Sequence, residues 1–391
     1  MSQTITEPEQ RGEGARIMTG TGAVAAAVRD AGVESIAAYP ITPQTEIVES
    51  IAEYVETGEL DATFSRVESE HSALSGAMGA SQAGSRAFTA TASQGLLYMS
   101  EMVWWTAGSR LPVVMAIANR ALGPPWNIWG SHTDALSQRD SGWIQVFAAN
   151  VQEAYDLTLA AYRLSEREDV MLPTMVNLDG FTLAHTMQPL TLVPPDVAQS
   201  FIGEIDVPHK IDTDNPRGYG ALAGGPDFWR FRKQIMDTMQ TVPARATETF
   251  EEFAEVTGRE YDLVHTYRAD DADLLLVGLG TMAREAEVTV DILREEGINA
   301  GVVRPILQTP FPEAAFREAV EGASEIVVLD RSTSFGRSGI LTEAVELAID
   351  QPIASVLAGI GGQNVDYQDM VEIAKAAEPG DRVWWGGGEL Q

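Results

Sequence analysis

The sequence predicts an α/β protein built of two domains. Short apolar runs alternate with stretches of helical periodicity from residue 16 almost to the end of the 391-residue chain. This is the pattern of strands handing over to helices in largely parallel sheets. Proline and glycine break the alternation between about 185 and 245, which marks a connecting segment. The domains are therefore expected at 16–245, connecting segment included, and at 260–391, behind a flexible tail at 1–15.

In chain order, Arg16-Ile17-Met18-Thr19 leads into Gly20-Thr21-Gly22-Ala23 and a small-residue helix from Val24 to Asp30, stopped by Gly32. The glycines fit close packing of strand on helix, or an approach by a ligand or partner. The GxGxxG pattern of dinucleotide sites is absent. Ser35–Tyr39 reads as a strand, and Ile47, Val48, Ile51, Tyr54 and Val55 follow at helical spacing. Tyr39-Pro40-Ile41-Thr42-Pro43-Gln44-Thr45-Glu46 joins them. Pro40 keeps Tyr39 away from helical angles. Pro43 suits the first helical position, which makes Thr42 the expected N-cap. Two prolines thus hold a threonine at the carboxyl end of a strand, where open α/β sheets place their ligands. A rigid turn without chemistry has the same local signature.

Leu60–Val67 is the next strand, and Glu68-Ser69-Glu70-His71-Ser72-Ala73 opens a helix of Ala, Gly, Ser and Met running to Ala83. Glu70 sits in its first turn, where the helix dipole favours a carboxylate. Burial raises a carboxyl pKa and a helix N-terminus lowers it, so such a group can be poised for proton work. Ala87–Ala92 is a buried-strand pattern, followed by Ser93-Gln94-Gly95-Leu96-Leu97 with Ser93 as N-cap. Ser93, His71 and Asp134 contain the residue types of a hydrolase triad, but GxSxG is missing. Pro112–Ala118 is a strand that ends on Asn119-Arg120. A guanidinium there can grip a carboxylate through two parallel hydrogen bonds, or pair with one of the many surface acids. A loop with Trp126 and Trp129 and the run Arg139-Asp140-Ser141-Gly142-Trp143 come next. Their aromatics either shield a site or pack a subunit interface. Leu172–Val176 is the last strand of this domain.

Phe228–Arg259 is expected to be helical with an interruption at Pro243. In the second domain, Asp273–Gly280, Gly301–Leu307 and Glu325–Asp330 read as strands. Thr281 is placed to cap a helix ended by Gly297, and Ile340–Ile349 is a further helix. GLGT at 278–281 hints at nucleotide binding, but no strand tipped with an acid supports it.

Composition narrows the function. Net charge is −31, which makes nucleic acid and anionic membranes poor partners. The acids are spread along the chain, as for solubility in a saline cytosol, although a basic partner would also suit them. The chain has no cysteine, so it holds no disulfide, thiol nucleophile or cysteine-ligated iron–sulfur cluster. Its five histidines show no metal-motif spacing. No apolar run is long enough for a membrane span, and the N-terminus lacks a secretory h-region. The expected location is the cytoplasm.

Several stretches resemble the α subunit of 2-oxoacid:ferredoxin oxidoreductases, the pyruvate:ferredoxin oxidoreductase family. They are YPITPQTEI (39–47), SEHSA (69–73), TASQGL (91–96), WNIW (126–129), RDSGW (139–143) and GIGGQN (359–364). The likeness spans roughly Ile17 to Ile373. In GIGGQN, Gln363-Asn364 stands where the family has Arg-Asp. The resemblance implies a doubly wound, pyrimidine-type thiamine diphosphate-binding domain followed by a smaller transketolase C-terminal-like α/β domain.

It also implies roles. Glu70 takes the place of the glutamate that activates N1′ of thiamine diphosphate. Thr42 and Arg120 match the residues that hold the substrate, and Ser93 and Pro40 lie with Glu70 at the cofactor site. The GDG…N motif for diphosphate and Mg²⁺ is absent from this chain. In the family it belongs to the β subunit, with [4Fe–4S] clusters on partner subunits. The resemblance therefore implies half an active site, completed by β and accompanied by γ and δ subunits in a dimer of hetero-oligomers. The reaction would be oxidative decarboxylation of a 2-oxoacid, pyruvate favoured, with coenzyme A and ferredoxin. Two alternatives stay open. One is a non-catalytic scaffold subunit. The other is a related thiamine enzyme acting on a branched-chain, aryl, 2-oxoglutarate or oxalate substrate with another electron acceptor.

Overall fold

The computed structural model describes residues 15–391. The tail expected at 1–15 lies, but for Ala15, outside them. The strands are β1 (Ala15–Met18), β2 (Ser35–Ala38), β3 (Thr63–Arg66), β4 (Ala87–Thr91), β5 (Val114–Asn119), β6 (Ile144–Ala148), β7 (Thr174–Asp179) and β8 (Gln188–Thr191). They continue with β9 (Val264–Tyr267), β10 (Leu274–Val277), β11 (Ala300–Pro305), β12 (Leu307–Thr309), β13 (Glu325–Asp330), β14 (Ala354–Leu357), β15 (Arg382–Gly386) and β16 (Glu389–Leu390).

The first sheet has the order β12-β6-β7-β5-β4-β2-β3. Its pairs are parallel except for β12 on β6. Strands β4 to β7 are buried at every residue, as parallel strands covered on both faces must be. β6 is not among the strands the sequence predicts, because Ile144–Ala148 has no regular polar alternation and follows a loop-like run. The second sheet runs β16-β15-β14-β13-β10-β11-β9, with antiparallel strands only at its two edges. β1 and β8 form a separate antiparallel pair.

Helix Gly20–Asp30 packs with helix Val151–Ser165 on one face of the first sheet. Gly20 is required there, since a Cβ would come within 2.6 Å of the Leu183 carbonyl oxygen. Close packing therefore accounts for the Gly20-Thr21-Gly22 run. The opposite face shares one apolar cluster with the second sheet, running from Leu74, Val103 and Trp143 through Leu275, Val303 and Phe316. Trp143 lies in that cluster, its indole N–H donating to the Val103 carbonyl at 2.7 Å.

Helix Gly225–Thr257 continues through Pro243 without the expected interruption. A proline removes one hydrogen bond and crowds the preceding turn. Burial of Val242, Ala246, Phe250 and Phe253 in the main core holds the helix across that position. No helix among the described residues is long and apolar enough to cross a membrane.

Candidate functional site

β5, β4 and β2 are neighbours in the first sheet, so the segments leaving their carboxyl ends are brought side by side. These segments are Asn119-Arg120, Ala92–Gly95 and Tyr39–Gln44. β3 pairs with β2, and the helix that follows it starts at Glu70. The candidate residues Pro40, Thr42, Glu70, Ser93 and Arg120 therefore lie at one edge of one sheet, outside the carboxyl ends of parallel strands.

Glu70 opens helix Glu70–Gln82, and the Ser69 side chain caps it by accepting from Ser72 N. The residue is buried, at 8% exposure. Its carboxyl accepts no hydrogen bond among the described residues, and its oxygens keep contact with solvent. Gly95 makes room for it. A Cβ at 95 would lie 2.5 Å from Thr91 Oγ1, 2.8 Å from Glu70 Oε1 and 2.9 Å from Glu70 Cγ. The Thr91 hydroxyl, buried in the same place, has no partner among the described residues either. Replacing Gly95 by alanine is expected to push the Glu70 carboxyl aside, since it is the freer neighbour. Overpacking costs about 1–3 kcal/mol, so kcat should fall by more than a thermal melt of the same variant would suggest.

Arg120 is buried, and burial lowers its pKa. Its Nη1 donates to the Thr42 carbonyl at 2.8 Å and its Nε to the Asn127 carbonyl at 3.1 Å. These bonds aim the guanidinium and leave Nη2 without a partner among the described residues. Thr42 and Arg120 are thus joined, but through the Thr42 backbone. Thr42 is exposed and is not the N-cap. The helix begins at Thr45 with Gln44 as cap residue, and the Thr42–Pro43 peptide is cis. The turn is held by Gln44 Nε2 donating to the Tyr39 carbonyl at 2.9 Å, with Pro40 exposed beside it.

Ser93 is not an N-cap either. Ala92 occupies that position, and Ser93 is the first helical residue with φ +50°. Its hydroxyl donates to the Ala121 carbonyl at 2.5 Å and is fully buried. A positive φ at a non-glycine residue is held only where the surroundings impose it. Here Asp134 does so, Oδ2 accepting from Ser93 N and Arg120 N at 2.9 Å each. Oδ1 accepts from Asn119 Nδ2 at 3.1 Å and Ala135 N at 2.8 Å. Burial pushes the Asp134 pKa up against the pull of these donors. One carboxylate thereby ties the Ser93 and Arg120 segments together, a role no sequence signal marks. The triad does not form: His71 pairs with Glu101 at 3.5 Å, and the Ser93 hydroxyl bonds to Ala121.

The second domain supports the same edge. The Asn127–Gly130 loop that accepts from Arg120 is itself braced by Gly359–Gly362, with Asn127 Nδ2 donating to the Gly361 carbonyl and Gly361 N to the Gly130 carbonyl, both at 2.9 Å. Trp129 packs against Phe181 with tilted rings 4.6 Å apart and remains half exposed, and Trp126 is more fully exposed. Gln363 Nε2 donates to the Trp385 carbonyl.

Asp179, at the end of β7, locks the two domains. It accepts from Thr281 N at 2.7 Å, Thr281 Oγ1 at 2.9 Å, Arg331 Nη1 at 2.6 Å and His132 Nε2 at 2.8 Å. Burial alone would raise its pKa, but the His132 ring and Arg331 outweigh burial and hold it well below the usual carboxylate range. Thr281 therefore does not cap its helix. Leu279 is the cap residue, and Asp179 supplies the anion at the helix start. A Cβ at Gly280 would collide with Asp179 Oδ2, so the GLGT turn is filled by protein and has no room for a nucleotide phosphate.

A carboxylate and an arginine lie at the open edge of a parallel sheet backed by a second α/β domain, a two-domain α/β architecture. A split-gene transketolase in its inactive β4 tetramer superposes with a TM-score of 0.53 at 13% identity, covering 92% of this chain and 96% of that one. A 2-oxoglutarate:ferredoxin oxidoreductase from Magnetococcus marinus gives a TM-score of 0.75 at 19% identity over 93% of this chain. This chain spans 65% of that longer one, and both likenesses concern the fold. Two family descriptions match the sequence. "Pyruvate flavodoxin/ferredoxin oxidoreductase, thiamine diP-bdg" covers residues 26–251, and "Pyruvate:ferredoxin oxidoreductase core domain II" covers 272–370. The chain is 41% identical over 380 residues to the pyruvate synthase subunit PorA of Methanocaldococcus jannaschii, covering 95% of this chain and 97% of that one. It is 40% identical over 367 residues to the ketoisovalerate oxidoreductase subunit VorA of Pyrococcus horikoshii, covering 92% and 93%. The chain belongs to the 2-oxoacid:ferredoxin oxidoreductases, as an α subunit.

Proposed function

We propose that the chain is the catalytic α subunit of a cytoplasmic complex that oxidatively decarboxylates a 2-oxoacid. Pyruvate is the favoured substrate; coenzyme A takes the acyl group, CO₂ leaves and two electrons pass to ferredoxin. The observation that carries this is Glu70, largely buried against Gly95 at the sheet edge, with a carboxyl that has no hydrogen-bond partner among the described residues. Such a carboxyl fits the ring nitrogen N1′ of thiamine diphosphate. When bound, that cofactor supplies the carbon nucleophile and electron sink that decarboxylation needs.

Glu70 would hold a proton at N1′. Arg120, aimed by Thr42 and Asn127, would grip the substrate carboxylate through Nη2, which has no partner among the described residues. Ser93 would act chiefly by fixing the Gln94-Gly95 backbone, since its hydroxyl is engaged with Ala121, and Pro40 would shape the rim. A β subunit would bring the diphosphate and Mg²⁺ site, and partner subunits the [4Fe–4S] clusters. A branched-chain 2-oxoacid is the second reading, favoured by the nearly equal identities to the PorA and VorA relatives.

The test is anaerobic affinity purification of the chain from its own cytosol, with the co-purifying chains identified and thiamine diphosphate and iron assayed. Partners bearing a GDG…N motif and cluster cysteines are expected; a lone chain free of both cofactors would sink the reading. In the purified complex, Arg120→Leu should raise KM for the 2-oxoacid about 10-fold or more, because a charge-assisted hydrogen bond contributes roughly 1.5–3 kcal/mol. An unchanged KM would remove Arg120 from the substrate site.

A further inference from the structure

Thr91, the last residue of β4, is fully buried, and its hydroxyl has no hydrogen-bond partner among the described residues. Buried hydroxyls are ordinarily paired, because an unpaired one carries its whole desolvation cost. Valine has nearly the same shape, suits a strand as well and carries no such cost. A threonine at this position therefore calls for a use beyond holding the strand.

Thr89 shows how the same strand satisfies a hydroxyl within the fold. Residues two apart point to the same face of a strand. The Thr89 hydroxyl, also fully buried, donates to the Ala37 carbonyl of β2 at 2.8 Å. Thr91 lies one step further on, where β2 has ended at Ala38. The carbonyls that follow on that segment are in use. That of Ala38 accepts from Val67 N at 3.2 Å, and that of Tyr39 accepts from Gln44 Nε2 at 2.9 Å.

What lies beside Thr91 instead is Glu70. Thr91 Oγ1 and Glu70 Oε1 stand 2.5 and 2.8 Å from one point, the Cβ that Gly95 lacks. The two side chains meet over the Gly95 backbone, and neither has a hydrogen-bond partner among the described residues. They are also complementary. A hydroxyl has one proton to give, and an ionised carboxyl only accepts, through two oxygens. A carboxyl that shares a proton with a ring nitrogen through one oxygen leaves the other to be satisfied. A turn about the Thr91 side-chain bond and a small swing of the Glu70 carboxyl would join them.

We propose that Thr91 is a positioning residue for the reaction. Its hydroxyl donates to one Glu70 oxygen when the other engages N1′ of thiamine diphosphate, and so fixes the plane of the carboxyl against the ring. The proposal rests on the Glu70 reading above. It also gives the TASQGL run a division of labour: Thr91 supplies a donor, Ser93 anchors the turn through Ala121, and Gly95 leaves the two oxygens room to approach.

The test uses the purified complex, freed of thiamine diphosphate by dialysis, with Thr91→Val or Thr91→Ser in the full chain. Without cofactor, Thr91→Val should melt at or above the wild-type temperature, since it removes an unpaired buried hydroxyl at nearly constant shape. Titrated with thiamine diphosphate and Mg²⁺, it should bind the cofactor about 10-fold more weakly, the scale of one lost hydrogen bond to a charged group. At saturating cofactor kcat should fall while KM for the 2-oxoacid stays unchanged, because Arg120 is untouched. Thr91→Ser keeps the hydroxyl and should restore both binding and kcat. Wild-type cofactor binding and turnover in Thr91→Val overturn the proposal. A lower melting temperature without cofactor, or failure to fold, also overturns it, because the hydroxyl then serves the fold. Failure of Thr91→Ser to recover binding does so too, by assigning the loss to the methyl group. Wild-type turnover in Glu70→Gln is a separate result, because it removes the Glu70 reading itself whatever Thr91 does.

Discussion

Glu70→Gln is expected to lower kcat of the assembled enzyme by about 10²–10⁴-fold, the usual contribution of a positioned acid–base group. The substitution keeps shape and volume but removes the carboxyl that would hold the proton at N1′. Glu70 has no hydrogen-bond partner to lose among the described residues, and the Ser69 cap of its helix is untouched. Folding and assembly should therefore survive, and the effect should appear in kcat with the partners still bound. Single-turnover kinetics on the purified complex would separate the chemical step from assembly. Turnover near the wild-type rate would leave Glu70 a structural carboxylate and would favour the scaffold reading of this chain.

Asp179→Asn should cost about 3–5 kcal/mol of stability at neutral pH, the range for removing one partner of a buried ion pair. Four donors converge on this carboxylate, two of them from the second domain at Thr281 and one from Arg331. The substitution strands Arg331 in an interface that leaves its side chain 11% exposed. The pH dependence follows from the sign of the shift. Asp179 is held well below the ordinary carboxylate pKa. Its contribution is therefore complete above the unfolded value of about 3.9 and is lost as pH falls from there toward the folded pKa. The gap between wild type and variant in denaturant melts should be constant from pH 7 to about 5 and should narrow below about 4. A gap that persists undiminished at pH 3 would mean that the charge of Asp179 is not what holds the domains.

These two residues also mark what could be read from the sequence. Glu70 was legible because SEHSA places a carboxylate in a first helical turn after a strand, and because that stretch carries a family resemblance. Asp179 was not. Its partners lie at 132, 281 and 331, and nothing in the run NLDG at 177–180 announces a cap for a helix a hundred residues away. In the sequence Asp134 stands only as a member of a triad that does not form, and its binding of the Ser93 and Arg120 backbones depends on which strands become neighbours.

The sequence by itself determined the alternation of strands and helices, most of the parallel strands and the edge at which the candidate residues collect. Those features follow from local hydrophobic periodicity and from the placement of glycine and proline between elements, which act within a few residues. Tertiary structure decided the rest. Burial carried a helix through Pro243, and the loop after β2 settled with its helix starting at Thr45 where local rules favoured Thr42 as cap. Asp179 took the place of Thr281 at a helix start, and Asp134 holds Ser93 in a left-handed conformation. In each case the deciding term is a buried contact between distant segments, whose energy exceeds the local preference and whose partners become defined only when the sheet order is fixed.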